Sequence, residues 1–198
     1  MAGVYLEIHL DGGIARYGHR LAAMADQLPQ IEREGLQEGG GLVTTRIRRA
    51  LRHQMNTKAA GPITAHTSGV LASNTTYIIR GMGKGLPITD FPVKGGRKKH
   101  GNWRDQPRDG IGRFGPLPNR DAGSVVAQSW GVAHRFKRSF ALASGGFVAT
   151  LPGSRRMRRL YGPSVAKEIG QGESAATFNG QAGALVEQCI FRRLGRLM

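Results

Sequence analysis

The chain has 198 residues, of which 29 are lysine or arginine and 13 are aspartate or glutamate, giving a formal net charge of +16. A chain of this length can bury one good hydrophobic core and has room for a second small lobe. Its charge favours polyanionic partners such as nucleic acid, acidic protein surfaces or a membrane face. The single cysteine excludes an intramolecular disulfide, and no stretch approaches the roughly 20 apolar residues of a membrane span, so we expect no membrane partner.

The N-terminal part of the chain predicts a strand followed by a long helix. Residues 4–10 alternate apolar and polar side chains, which is the period of a half-buried strand. From Ile14 to Ile31 the apolar residues recur every three or four positions, as on one face of a helix that Pro29 kinks or restarts. Residues 39–41, all glycine, either break this helix or allow close packing, and a break is the favoured prediction. The helical spacing resumes afterwards at Val43, Ile47, Leu51 and Met55.

The middle of the chain predicts strands separated by loops. Residues 57–74 have the composition of a loop, and residues 75–81 (TTYIIRG) that of a strand. Residues 125–151 predict a strand, a short helical or extended piece, a hairpin and a further strand. Residues 94–121 have no apolar period and are rich in glycine, proline and arginine. A stretch of that length without a period predicts a long exposed loop.

The C-terminal residues predict a second helix, over about 180–197, after a capping Asn179. Its apolar stripe consists of Val186, Ile190, Leu194 and Leu197, widened by Leu185 and Cys189. The predicted fold is therefore a single α+β domain over residues 1–198. In it, a small mixed or antiparallel sheet packs against a C-terminal helix and a long N-terminal helix that is either broken or continuous at residues 39–41, with an exposed basic loop at about 94–121.

The motifs that resemble catalytic or cofactor-binding signatures are incomplete. In GMGKG (81–85) a phosphate-binding loop would need glycine where Ile78 stands and serine or threonine where Gly85 stands. Ser164 and Lys167 have the spacing of a Ser-x-x-Lys nucleophile, but the companion motifs are missing, and Ser164 after a proline fits a helix N-terminus. The histidines and acidic residues form no metal-ligating pattern. We therefore expect no catalytic, cofactor-binding or metal site.

Basic residues form four groups along the chain. Those near the helices are interpreted as solvated faces whose long side chains cover the edges of the core. The groups in and after the predicted loop, where aromatic residues are interleaved, are candidates for contact with protein or DNA, because arginine binds both carboxylates and phosphates. The candidate interaction residues are Arg97, Lys98, Lys99, Trp103, Arg104, Arg113, Arg155, Arg156, Arg158, Arg159 and Tyr161.

Four segments carry a resemblance to a known family: KGLPITDFPV (84–93), WGVAHRFKRSFALASGGFVATL (130–151), RRLYGPSVAKEI (158–169) and LVEQCIFRRL (185–194). Together they resemble the minor tail protein Z family, the tail completion proteins of long-tailed bacteriophages and prophages. The most specific element runs from Leu160 to Ser164 and continues with Lys167-Glu168-Ile169. The resemblance covers roughly the last 120 residues and also fits the helical N-terminal half. Residues 94–121 look longer and more basic than the family needs, so no role is carried over to them.

The resemblance implies a structural virion protein without enzymatic activity, located in the tail or neck after assembly in the host cytoplasm. It would act at the head-proximal end of the tail, in tail assembly and head–tail joining. The implied partners are the tail terminator, tail tube and neck proteins, together with copies of the chain in a homo-oligomeric ring, a hexamer being favoured. The DNA that passes through the tail would offer non-specific contacts. No cofactor is implied.

Two other functions compete with this one. The charge alone favours a basic nucleic-acid-binding protein of ribosomal or nucleoid type, although zinc-finger, RNP and helix-turn-helix signatures are missing. Such a protein would lose affinity for duplex DNA steeply with salt. The weakest alternative is an enzyme that uses Ser164 and Lys167.

Overall fold

A computed structural model of the chain describes residues 4–9, 27–94, 110–111, 125–142, 145–151 and 156–196. The chain divides into two compact units. The helical unit comprises residues 1–54, 59–84 and 164–198, and the sheet unit comprises residues 55–58 and 85–163. The single domain predicted over residues 1–198 stays a prediction.

The helical unit contains two long helices and one three-stranded sheet. Its elements are β1 (Val4–His9), α1 (Leu28–Met55, whose last residue belongs to the sheet unit), α2 (Gly61–Ala65), β2 (Thr67–Leu71), β3 (Thr76–Gly81), α3 (Val165–Glu168) and α4 (Gly172–Leu194). The strand order is β1-β3-β2, and both pairs are antiparallel. The prediction of a loop over residues 57–74 was wrong, because this stretch forms α2 and β2. Both elements are too short to show an apolar period.

Helix α1 is continuous from Leu28 to Met55, so the predicted break at residues 39–41 was wrong. At the start of the helix, Pro29 lies in the first turn, where a missing N–H costs nothing. At its end, Asn56 follows with a φ of 56°, a conformation that asparagine tolerates well. The apolar residues at helical spacing are buried as predicted: Val43, Ile47, Leu51 and Met55. The predicted helix from Ile14 lies outside the described residues up to position 26.

The glycines of α1 permit close packing, which was the less favoured of the two predictions. A Cβ at Gly39 would lie 2.7 Å from the Val186 Cα of α4, and one at Gly35 would lie 3.1 Å from the Ile190 Cα. A Cβ at Gly40 would lie 2.5 Å from the ring of Tyr77 on β3. Glycine is therefore required at these positions because two neighbouring elements approach the backbone of α1 too closely for any side chain.

Helix α4 begins eight positions before the predicted start, at Gly172, and Gln171 rather than Asn179 is its N-terminal flanking residue. The buried Ser174 explains the early start, since its hydroxyl lies 2.8 Å from the Glu168 carbonyl and 2.9 Å from the Gln171 carbonyl. The single hydroxyl hydrogen is shared between these two acceptors, and this contact ties the first turn of α4 to the end of α3. The predicted apolar stripe is confirmed for Val186, Ile190, Leu194, Leu185 and Cys189, all buried, while Leu197 lies outside the described residues.

Two arginines of α4 form ion pairs with α1. Arg193 contacts Glu34 and lies 3.1 Å from a Glu38 carboxylate oxygen, and Arg192 lies 3.2 Å from the other oxygen of Glu38. Cys189, one turn earlier, is buried as predicted. Its burial and, secondly, the Glu38 carboxylate raise the pKa of its thiol, so the thiol serves as a small apolar group in the helix contact.

The sheet unit contains two three-stranded antiparallel sheets. One has the order β4 (Val93–Lys94), β5 (Val125–Ser129), β6 (Val132–Phe136), and the other has the order β7 (Ser139–Ala141), β8 (Phe147–Thr150), β9 (Met157–Arg159). A 3-10 turn at Ile88–Asp90 precedes them. The core side chains include Leu86, Ile88, Phe91, Val125, Ala127, Val148 and Leu160.

The predicted fold class is confirmed: the chain is α+β, with a long N-terminal helix, a C-terminal helix and small antiparallel sheets. The strand predicted at 75–81 is β3, and residues 125–151 contain four strands where strands and a hairpin were predicted. Of the predicted loop at 94–121, residues 95–109 and 112–121 lie outside the described residues.

Candidate interaction surface

The most specific segment of the resemblance, LYGPS (160–164), is held by its backbone. The Gly162 N–H donates to the Leu86 carbonyl (2.8 Å), the Leu86 N–H donates to the Pro163 carbonyl (3.0 Å), and Pro87 and Tyr161 form an antiparallel bridge. A Cβ at Gly162 would lie 2.5 Å from the ring of the buried Phe91. The segment is thus a strand-like element that requires glycine for its packing, with the side chain of Tyr161 left 53% exposed.

Ser164 is the N-cap of α3, as predicted from the preceding proline. Its φ of −106° and ψ of 139° are extended, and its hydroxyl oxygen accepts a hydrogen bond from the Lys167 N–H at 3.3 Å. The Lys167 side chain is exposed. The spacing of Ser-x-x-Lys in this chain therefore corresponds to a capping contact between the serine side chain and the lysine backbone.

Ser164→Ala is expected to lower the free energy of unfolding by about 0.5–2 kcal/mol through loss of the cap, whereas Ser164→Gly should cost only a few tenths. Lys167→Ala, at an exposed position, should change it by less than about 0.5 kcal/mol. Urea unfolding of the three variants tests this order. A larger loss for Lys167→Ala than for Ser164→Ala would contradict the capping role.

The other sequence motifs that were considered do not come together into a site in the part of the chain that the structure describes. There, no group of three or more histidine, cysteine, aspartate or glutamate residues could hold a metal ion, and no helix is long and apolar enough to cross a membrane. The GMGKG stretch is a bend with Gly83 at a φ of 99°. A Cβ at Gly83 would clash with the ring of His66. Glycine is therefore needed here both for the positive φ of the bend and for the close approach of His66.

Several basic residues of the helical unit have structural partners. Arg46 donates to the Gln181 side chain (2.6 Å), and Arg48 donates to the Thr67 carbonyl (2.7 Å). Together with the two ion-paired arginines of α4, these contacts join α1 to its neighbours within the unit. They agree with the interpretation of these groups as arginines that cover the edges of the core.

Most of the net charge belongs to the sheet unit. It contains 16 lysines and arginines against 4 aspartates, a formal charge of +12, while the helical unit has 13 basic against 9 acidic residues, a charge of +4. Among the described residues of the sheet unit, Asp90 is the only acidic one. This unit therefore presents the stronger attraction for an anionic partner.

The strands at one end of each sheet in this unit are exposed on both faces; we call β6 and β9 the exposed end strands. In β6 the first four residues are exposed, although successive side chains of a strand point to opposite faces. In β9 all three residues are exposed. By contrast, every residue of β5 is buried or half-buried. The exposed apolar side chains on the end strands are Val132 (58% exposed) and Met157 (58%).

The turn that leads into β6 holds an exposed tryptophan in a strained conformation. Trp130 and Gly131 join β5 to β6 with φ values of 54° and 71°, which is the type I′ turn for which asparagine-glycine is preferred. A bulky residue with positive φ is a genuine outlier, at a cost of about 1–3 kcal/mol. Trp130 is 46% exposed, and its ring makes an edge contact with the His134 ring at a centroid distance of 5.6 Å.

The structure locates four of the eleven predicted interaction residues. Arg156, Arg158 and Arg159 are exposed at or next to β9, and Tyr161 follows them. The other seven lie outside the described residues: Arg97, Lys98, Lys99, Trp103, Arg104, Arg113 and Arg155. The sequence prediction missed Trp130, which was taken as an apolar residue of a strand region. The turn could have been recognised from the sequence, because Trp130 stands directly before a glycine and between two strand patterns.

Comparisons of the chain with protein-family models, with curated proteins and with solved structures found no match.

Proposed function

We propose that this chain is a structural protein that functions through assembly, as a tail completion protein of a long-tailed bacteriophage or prophage. The observation that carries the proposal is the pair of exposed end strands in the sheet unit. A strand gains stability by burying at least one face, and an exposed end strand is a template for pairing with another chain. Strands β6 and β9 bury neither face in the isolated chain, which is the expected state of a subunit whose neighbours are absent.

The phage setting of the proposal rests on the resemblance described above. The contacts of LYGPS support it in one respect, because a backbone-held segment and a capping serine are what a structural element requires. Partners in this setting would be the tail terminator, the tail tube and neck proteins, and copies of the chain in a ring, the hexamer being favoured. The charge of +12 on the sheet unit suits a ring through which DNA passes.

The test is a stop codon placed early in the gene in the phage or prophage that encodes the chain. We expect filled heads and separate tails, visible by electron microscopy, and restoration of joined virions when the intact chain is supplied from a plasmid. Mass spectrometry of purified tails should detect the chain. Normal infectious virions from the mutant would contradict the proposal, as would tails that lack the chain.

A nucleic-acid-binding protein is the second candidate, favoured by the concentration of charge on the sheet unit. It predicts that the free chain binds duplex DNA and that the logarithm of the affinity falls steeply with the logarithm of salt. The double variant Arg158→Gln/Arg159→Gln should then reduce the salt slope by about two. Fluorescence anisotropy with a labelled duplex measures both quantities. Weak binding without this slope would exclude the second candidate.

A further inference from the structure

We infer that the β5–β6 hairpin is the docking site for a strand from an acidic partner protein, with Trp130 as its anchor. This inference deepens the proposed assembly role and rests on it.

The backbone of β6 is oriented for strand addition. Gln128 of β5 lies opposite Ala133 of β6, and both backbone groups of Gln128 point away from β6: its N–H donates to the Pro92 carbonyl (2.8 Å) and its carbonyl accepts from the Asn56 side chain (3.1 Å). In an antiparallel ladder the opposite member of such a pair also points its N–H and carbonyl outward. The N–H and carbonyl of Ala133, and two residues later of Arg135, therefore point to the far side of β6.

That far side is open in the part of the chain that the structure describes, since β6 is the last strand of its sheet. The exposed N–H and carbonyl groups form a row into which one more strand can be added, a common mode of peptide recognition. The side chains that flank this row are exposed as well. A strand added there would cover Val132 on one face and Ala133 on the other.

Trp130 gives the docking site its specificity. The turn would be less strained with asparagine at this position, so the fold by itself does not account for the tryptophan. Tryptophan is, with tyrosine and arginine, enriched among the residues that anchor interfaces, where its large ring enters a pocket of the partner. It lies at the tip of an exposed hairpin, where its ring makes an edge contact with the ring of His134.

The positive charge around β6 indicates which kind of strand binds there. Arg135, Lys137 and Arg138 lie on or directly after β6, and the described residues of the sheet unit include eight lysines and arginines against one acidic residue, Asp90. A second copy of the same unit would bring like charges together, as would residues 95–109 and 112–124 of this chain, which contain seven basic and three acidic residues. A strand rich in glutamate or aspartate is attracted to the same surface.

The experiment measures binding of the full chain to four probes by calorimetry and hydrogen exchange. The probes are a short peptide that alternates glutamate with valine and threonine, its lysine counterpart, a single-stranded oligonucleotide and a short DNA duplex. We expect the glutamate peptide to bind at least about tenfold more tightly than the lysine peptide, and to slow amide exchange at Ala133 and Arg135. Equal affinity for both peptides would contradict the inference that the partner strand is acidic.

Two variants and one control locate the site. Trp130→Asn is expected to weaken binding of the glutamate peptide about tenfold or more while the Tm stays equal or rises, because asparagine suits the turn. Ala133→Pro should weaken binding similarly by removing an outward N–H from an end strand, where proline is tolerated. Phe191→Gln, which removes an exposed aromatic ring from α4, should leave binding unchanged.

The other outcomes contradict the inference in distinguishable ways. A lower Tm of Trp130→Asn would assign the tryptophan to folding. Binding of the single-stranded oligonucleotide that depends on Trp130 would replace the protein partner by nucleic acid bases, and self-association lost in Trp130→Asn would replace it by a second copy. Absence of binding by the glutamate peptide would overturn the docking site alone, since the proposed function is judged separately by the phenotype of the stop-codon mutant.

Discussion

Ile190→Ala is expected to lower the free energy of unfolding by about 2–5 kcal/mol. The Ile190 side chain is only 2% exposed, at the point where α4 approaches Gly35 of α1 most closely. Removing it leaves a cavity between two helices that are held at a fixed distance by glycine contacts, so the surrounding atoms can move in only partially. Against a total stability of about 5–15 kcal/mol, this single change threatens the fold. Thermal and urea unfolding followed by circular dichroism measure the loss.

The matched control is the double variant Arg192→Gln/Arg193→Gln on the next turn of the same helix. It removes the ion pairs with Glu34 and Glu38, whose side chains are 42% and 35% exposed. Partly exposed ion pairs are screened by solvent, and we expect a loss of less than about 1 kcal/mol. A greater loss for the arginine variant than for Ile190→Ala would mean that charge pairing, and not apolar burial, holds α4 to α1.

Gly39→Ala is expected to destabilise the fold by about 1–3 kcal/mol through overpacking, even though alanine is the better helix former. The added Cβ would lie 2.7 Å from the Cα of Val186, and a backbone atom cannot turn aside as the end of a flexible side chain can. Either α4 must move away from α1, or α1 must bend. Unfolding in urea compared with the unchanged chain gives the size of the effect.

Gly41→Ala, two residues along the same helix, is the control for this prediction. A Cβ at Gly41 would have no atom within 4 Å, so only the helix propensity changes and the variant should be more stable by about 0.5–1 kcal/mol. The two alanine variants should therefore change stability in opposite directions. If both are stabilising, the contact between α1 and α4 is looser than the structure indicates.

Apolar periodicity was sufficient to predict the elements that bury one face over several turns or several alternations. The buried stripes of α1 and α4 and the alternation in β3 follow directly from the spacing of their apolar residues. The helix cap at Ser164 was also predictable, because its signal lies within a few residues of the cap itself. The α+β class follows from these elements, since each must bury its apolar face against another.

The candidate surface was predictable only in part. The arginine-rich sequence around β9, together with Tyr161, was predicted to form an interaction group. Those of its residues that the structure describes are exposed. The hairpin at Trp130 was missed because an apolar residue in a strand region is ordinarily assigned to the core. Its exposure follows from the positive φ at residues 130 and 131, and that conformation depends on which strands pair.

The sequence by itself determined the α+β class, the high positive charge, the two apolar helix stripes and the incompleteness of every catalytic motif. These properties depend on residue types or on local spacing, and both can be read along the chain. Only the tertiary structure decided that the glycines at 39 and 40 continue a helix and that β6 is an end strand with outward backbone groups. The physical reason is the same in each case: the free energy that fixes these features comes from contacts with residues far away in the chain, which local propensity does not contain.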